Sequence, residues 1–151
     1  MRLRQTIFWG LVMACASLGA CDITTAPGES ELAQARQRWT LSNIRSYSYT
    51  ASRSCFCAPA SLRSITVTVT NGVVTGRVYA GTGEPVAAAD SEFSTVEAWF
   101  GVVQAALARH ADVVDVKYDA ALGVPVSISI DGSFQAADDE VTYSVSGFTP
   151  R

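Results

Sequence analysis

Ile65-Thr66-Val67-Thr68-Val69-Thr70-Asn71-Gly72-Val73-Val74-Thr75-Gly76-Arg77-Val78-Tyr79 is the stretch that decides the fold. Ile65, Val67 and Val69 alternate with threonine, and a period of two sends the two sets to opposite faces of an extended strand. Asn71-Gly72 follows, the pair best suited to the positive φ angles of a two-residue hairpin turn, and the chain returns from Val73 to Tyr79. A strand with one apolar and one hydroxyl face belongs to an antiparallel sheet covered on one side.

Upstream, Tyr47 and Tyr49 alternate with Ser46, Ser48 and Thr50 and lead to Cys55-Phe56-Cys57 and a break at Pro59. Before them, Leu32, Ala35 and Trp39 recur at helical spacing from Glu31 to about Ser42, with Arg36 and Arg38 on the wet side and Ser30 as N-cap. Downstream, residues 80–92 are rich in Gly, Ala and Pro and form the longest connection. A second helix follows. Val96, Trp99, Phe100, Val103, Ala106, Leu107 and His110 share one face, and Ser94 with Glu97 has capping-box spacing.

Period two then resumes. Val114, Val116 and Tyr118 alternate with Asp115, Lys117 and Asp119, and a turn through Gly123 leads to Val126, Ile128 and Ile130. Pro125 lacks a backbone donor, so its strand should lie at an edge or begin there. A last strand runs from near Glu140 to Phe148, with Val141, Tyr143 and Val145 inward. The expected fold class is α+β, in the order helix, three-strand meander, helix, three-strand meander, with an antiparallel sheet and the helices on one face. The repeated order raises an internal duplication, although the two halves do not align in sequence.

The amino terminus carries a different kind of signal. Arg2 and Arg4 form a short positive region, and Ile7 to Leu18 is an apolar stretch too short for the roughly 20 residues that span a bilayer. Leu18-Gly19-Ala20-Cys21 matches a lipobox: a branched apolar residue, two small ones, then the cysteine whose sulfur accepts a diacylglycerol before cleavage on its amino side. Residues 1–20 are therefore read as a lipoprotein signal peptide, 21–30 as a lipidated tether and 31–151 as a single α+β domain. Cys21 is the expected lipidation site, holding the protein to a bacterial membrane on the periplasmic or surface side of the envelope. A flexible tether of nine residues has a root-mean-square reach of roughly 15–18 Å.

Charge narrows the partners. The whole chain carries −3, and without Arg2 and Arg4 the remainder carries −5. From residue 22 to 77 six arginines face Asp22, Glu29 and Glu31, a net of +3; from 78 to 151 three basic residues face eleven acidic ones, a net of −8. Lys117 is the single lysine, and nucleic acid is excluded as a partner because phosphate contacts need clustered Lys and Arg.

Cys55 and Cys57 are the cysteines left once Cys15 departs with the signal and Cys21 is acylated. In an oxidising envelope they form a disulfide candidate. Residues i and i+2 of a regular strand lie about 6.5–7 Å apart, near the upper limit for a bridge, so bonding needs a bent backbone. Reduced thiols and a metal or redox site stay open beside the structural disulfide. A metal would need further ligands, and His110, the one histidine, reads as a packed or capping residue. Asp131, Asp138, Asp139 and Glu140 form an acidic cluster, with Asp119 brought near across the hairpin. Asp119, Asp131, Asp138 and Asp139 are the cation-binding candidates, weighed against solvated turn residues. The spacing of an EF-hand loop, the Gly-x-Ser-x-Gly elbow and phosphate-binding glycine loops are missing from the sequence. No catalytic residue, resident metal or cofactor is assigned.

Tyr47-Ser48-Tyr49, Cys55-Phe56-Cys57, Val67 to Gly72, Trp99-Phe100, the run Tyr118-Asp119 through Gly123, Pro125, Ile128, Ile130 and Asp131, and Asp138-Asp139-Glu140 occur in this order. Their order resembles a family of uncharacterised bacterial lipoproteins bearing a domain of unknown function. The resemblance covers nearly the whole chain after Cys21 and implies envelope localisation without an activity. The expected role is a non-enzymatic module binding an envelope protein or peptide. The alternative is a small-ligand or divalent-cation-binding lipoprotein that uses the acidic C-terminal half.

Overall fold

A computed structural model describes residues 27–87 and 93–151. The elements are α1 (Pro27–Ser42), β1 (Tyr47–Cys55), a 3-10 turn (Pro59–Leu62), β2 (Ile65–Thr70), β3 (Val73–Tyr79), α2 (Val96–Ala108), β4 (Val113–Tyr118), β5 (Pro125–Asp131) and β6 (Val141–Pro150). The fold is α+β. Asn71 and Gly72 take φ angles of 51° and 80°, closing the β2–β3 hairpin as the Asn-Gly pair predicts.

All six strands join one open antiparallel sheet in the order β3-β2-β1-β6-β5-β4. Each meander pairs with itself, and β1 pairs with β6 from Tyr47↔Pro150 to Cys55↔Val141. Half a turn about the sheet normal would lay β1, β2 and β3 on β6, β5 and β4, which reverses their order along the chain. A duplication would preserve that order, so the two meanders are not structural copies. Pro125 opens β5, which is an internal strand, so of the two positions open to it Pro125 takes the strand start.

Both helices cover one face. Tyr47, Tyr49 and Ala51 of β1 meet Ile65, Val67 and Val69 of β2, and with Ile128, Ile130 and Val145 they form the floor of the core. Trp39 of α1 stands edge-on to Tyr47 with centroids 5.4 Å apart, and Trp99 of α2 lies 5.1 Å from Tyr143; such aromatic pairs add about 1 kcal/mol each beyond the area they bury. The two helices are tied by the Trp39 indole N–H, which donates to Glu97 Oε1 at 2.7 Å. Burial pushes the Tyr47 and Tyr118 hydroxyls up to about 12 and raises Tyr49 further.

The helix boundaries differ from expectation in physically interpretable ways. α1 starts four residues early, so 27–30 form its first turn instead of tether, with Pro27 opening it and Glu29 near the positive end of its dipole. α2 is capped by Thr95, whose hydroxyl accepts from Ala98 N, while Ser94 accepts from the Tyr49 hydroxyl through its carbonyl. Ser94 is thus drawn into the core contact and the cap moves one residue on.

His110 lies beyond the end of α2, exposed, with φ of 55°. Its N–H reaches Leu107 O at 3.0 Å and Ala111 N reaches Ala106 O at 3.2 Å, the paired bonds of a Schellman motif. A left-handed non-glycine residue costs roughly 1 kcal/mol, so His110→Gly should raise stability by about that amount in urea unfolding.

Gly123 is the tightest point between helix and sheet. It has φ of 75°, and a Cβ there would sit 2.2 Å from the Ala35 carbonyl oxygen of α1. Gly123→Ala must lift α1 off the β4–β5 turn, with an expected loss of about 3 kcal/mol or more and a Tm lowered by about 10 °C. An unchanged melting curve would show that the helix does not sit this close.

Candidate functional site

The face of the sheet opposite the helices is left uncovered among the described residues. Antiparallel pairing aligns the polar half of every alternation: Thr66 and Thr68 beside Thr50 and Ser48, then Ser144 and Thr142 beside Ser127 and Ser129. Hydroxyls meet across strands at Thr50–Thr66 (3.2 Å), Thr70–Thr75 (3.1 Å) and Ser129–Thr142 (2.8 Å). The charged side chains Asp115 and Lys117 are confined to edge strand β4. The sequence carried the signal for this face, since the polar positions are mostly Ser and Thr. Its continuity depends on the β1–β6 pairing, which local periodicity does not specify.

Two of the depressions at the helix margins are lined by both charged and apolar residues. One, of about 440 Å³, is framed by Trp39, Arg45, Tyr47, Gly72 and Glu97, where the end of α1 meets the hairpin turn and the start of α2. The other, of about 590 Å³, lies between the last turn of α2 and the β5–β6 loop; Val102, Ile130, Val141 and Tyr143 wall it, and Arg109 and Asp139 bring charge to it.

The expected cation ligands are not gathered in one place. Asp119 lies in the β4–β5 turn, where Oδ1 accepts from Ala121 N at 3.0 Å and Leu122 N at 2.7 Å. Asp131 is at the other end of β5, about 20 Å away by strand rise. The expectation that the hairpin brings Asp119 near the cluster is therefore corrected: its carboxylate organises a turn. Asp138 and Asp139 lie in the β5–β6 loop, and Asp139 is close enough to act on Asp131. Among the described residues no three His, Cys, Asp or Glu side chains are gathered to hold a metal ion.

Asp131 itself is electrostatically frustrated. Its Oδ1 has no hydrogen-bond partner, and its pKa is raised, first by desolvation and then by Asp139, Glu140 and Asp112, against a backbone hydrogen bond from Ser133 that lowers it. A raised folded-state value means that the stabilising contribution is present below the ordinary value of 3.8 and is lost as pH rises through the folded value. At neutral pH the charge opposes folding. Asp131→Asn should therefore melt above the parent protein at pH 7, with the gap closing below pH 3.8; a gap that persists in acid would exclude the carboxylate charge as its cause.

Cys55 and Cys57 are bridged, with Cα atoms 5.2 Å apart. The bend that the spacing requires comes from a tight turn in which Cys57 N–H donates to Cys55 O at 2.9 Å. Cys21 lies outside the described residues. No helix among the described residues is long and apolar enough to cross a membrane.

Residues 31–150 match a family model described as a family of unknown function, DUF6174. The chain belongs to that family. No curated protein matches the chain. No solved structure matches it.

Proposed function

We propose that this chain is a bacterial lipoprotein, anchored through Cys21 in the cell envelope, whose domain is a non-enzymatic module that binds a protein or peptide partner. The observation that carries the binding role is the continuous hydroxyl face of the sheet, open to solvent and opposite both helices. Aligned hydroxyls donate and accept without a desolvated charge, which suits contact with a polar protein surface or an extended peptide. Anchorage rests on the lipobox at Leu18–Cys21. With α1 beginning at Pro27, five residues separate it from Cys21, so the domain works within about 20 Å of the membrane surface.

Two measurements test the two parts separately. Cys21→Ala should abolish incorporation of labelled palmitate and move the protein out of the membrane fraction; retained label would overturn the anchor. Photocrosslinkers at Thr68 and Ser144 should capture a discrete partner in cells, while one at Gln104 on the exposed side of α2 should not. Ser144→Arg should abolish capture from Thr68 with the Tm within about 2 °C of the parent, as expected for an exposed site. Equal capture from both faces would remove the sheet face from consideration.

A further inference from the structure

We propose that the Cys55–Cys57 disulfide is a thiol–disulfide exchange site for a protein dithiol, with Cys57 as the attacked sulfur and Cys55 as the leaving one.

The bridge is poorly placed to act as a staple. It closes a loop of three residues, and a cross-link removes less chain entropy the shorter the loop it closes. Residues 56–60 are all exposed, so the bridge fastens no core segment. Cys55 is already fixed by its pairing with Val141 across β1–β6. The turn has its own backbone hydrogen bond, from Cys57 N–H to Cys55 O, which does not need the sulfur bond. Opening the bridge therefore leaves the surrounding fold in place.

The two sulfurs are also unequal. Cys55 falls in the inward register of β1 with Tyr47, Tyr49 and Ala51, and is half-buried opposite Val141. Cys57 lies beyond the strand and is exposed. Exchange needs an attacking thiolate to reach one sulfur in line with the other, and accessibility selects Cys57. Between them Phe56 is 82% exposed, an apolar contact at the reacting bond that a small thiol has no means to use. Exposed disulfides are the labile class.

A partner thiolate attacks Cys57 Sγ; the Cys55–Cys57 bond breaks and its electron pair leaves on Cys55 Sγ, which takes a proton from water. The second thiol of the partner, deprotonated, attacks the partner sulfur of the mixed disulfide and expels the Cys57 thiolate. Two electrons and two protons pass from the partner dithiol, which becomes a disulfide, to Cys55 and Cys57. Exchange at this bond requires neither the hydroxyl face of the sheet nor lipid attachment.

The test uses the full chain in detergent with Cys15→Ser and Cys21→Ser, so that Cys55 and Cys57 are the only thiols. Dithiothreitol without denaturant should open the bridge, make both thiols alkylatable and move the Tm by no more than about 2 °C. Resistance until unfolding, or a fall of about 8 °C or more, would identify a staple and overturn the proposal. With oxidised glutathione, Cys55→Ser in this background should form the mixed disulfide at least about tenfold faster than Cys57→Ser; equal rates would overturn the assignment of roles. Reduced thioredoxin, a protein dithiol, should open the bridge faster than glutathione at matched thiol concentration, and Phe56→Ser should slow the first reaction alone. Equal rates unaffected by Phe56→Ser would overturn the protein partner.

Discussion

The pairing of β1 with β6 is the interaction on which the rest of the structure depends. Each meander alone is a three-stranded sheet with one apolar face too narrow for two helices. Joined along Tyr47↔Pro150 to Cys55↔Val141, they make a floor six strands wide on which α1 and α2 lie together. This contact links the first strand to the last, so it forms at the largest sequence separation of any strand pairing in the sheet. Loop closure must precede the burial that rewards it. Trp39 then reaches both Tyr47 of β1 and Phe148 of β6, and serves as the shared core contact of the two halves.

The same pairing governs the surface. It sets the Ser/Thr rows of the two meanders side by side and continues the hydroxyl face across the seam. It also places Cys55 beside Val141, and thus near the β5–β6 loop that carries the acidic residues. Acidic residues that look like one set along the chain are divided by it: Asp119 stabilises a turn at one end of the sheet, while Asp131 strains against Asp139 and Glu140 at the other. A cluster in sequence became one organised turn and one repulsive loop, because strand length keeps the two ends apart.

The elements with strong local chemistry were legible in advance. The Asn71-Gly72 turn, the alternation in β1, β2 and β4, the apolar stripe of α2 and the need for a bend between Cys55 and Cys57 each follow from a few neighbouring residues. Boundaries set by tertiary contacts were not. Ser94 scores as a cap by spacing, yet its carbonyl is taken by Tyr49 and Thr95 caps instead. His110 fits the apolar stripe, but the helix ends before it and a left-handed residue is needed there. α1 gains a further turn at Pro27, where Gly28 lies against Leu107 of α2.

The sequence by itself determined the α+β class, the Asn71-Gly72 hairpin and the inward face of residues such as Tyr47, Tyr49, Val67 and Ile128. These are properties of residues within a turn or two of one another, where φ preference and side-chain period act directly. Only the tertiary structure decided that the sheet is one, in the order β3-β2-β1-β6-β5-β4, that its halves are not copies, and that the Ser/Thr positions form one open surface. Those outcomes depend on which strand edges meet, and an edge presents the same backbone donors and acceptors whatever its side chains. The choice between edges is made by the packing of Trp39, Tyr47 and Phe148 across the seam, which no local pattern encodes.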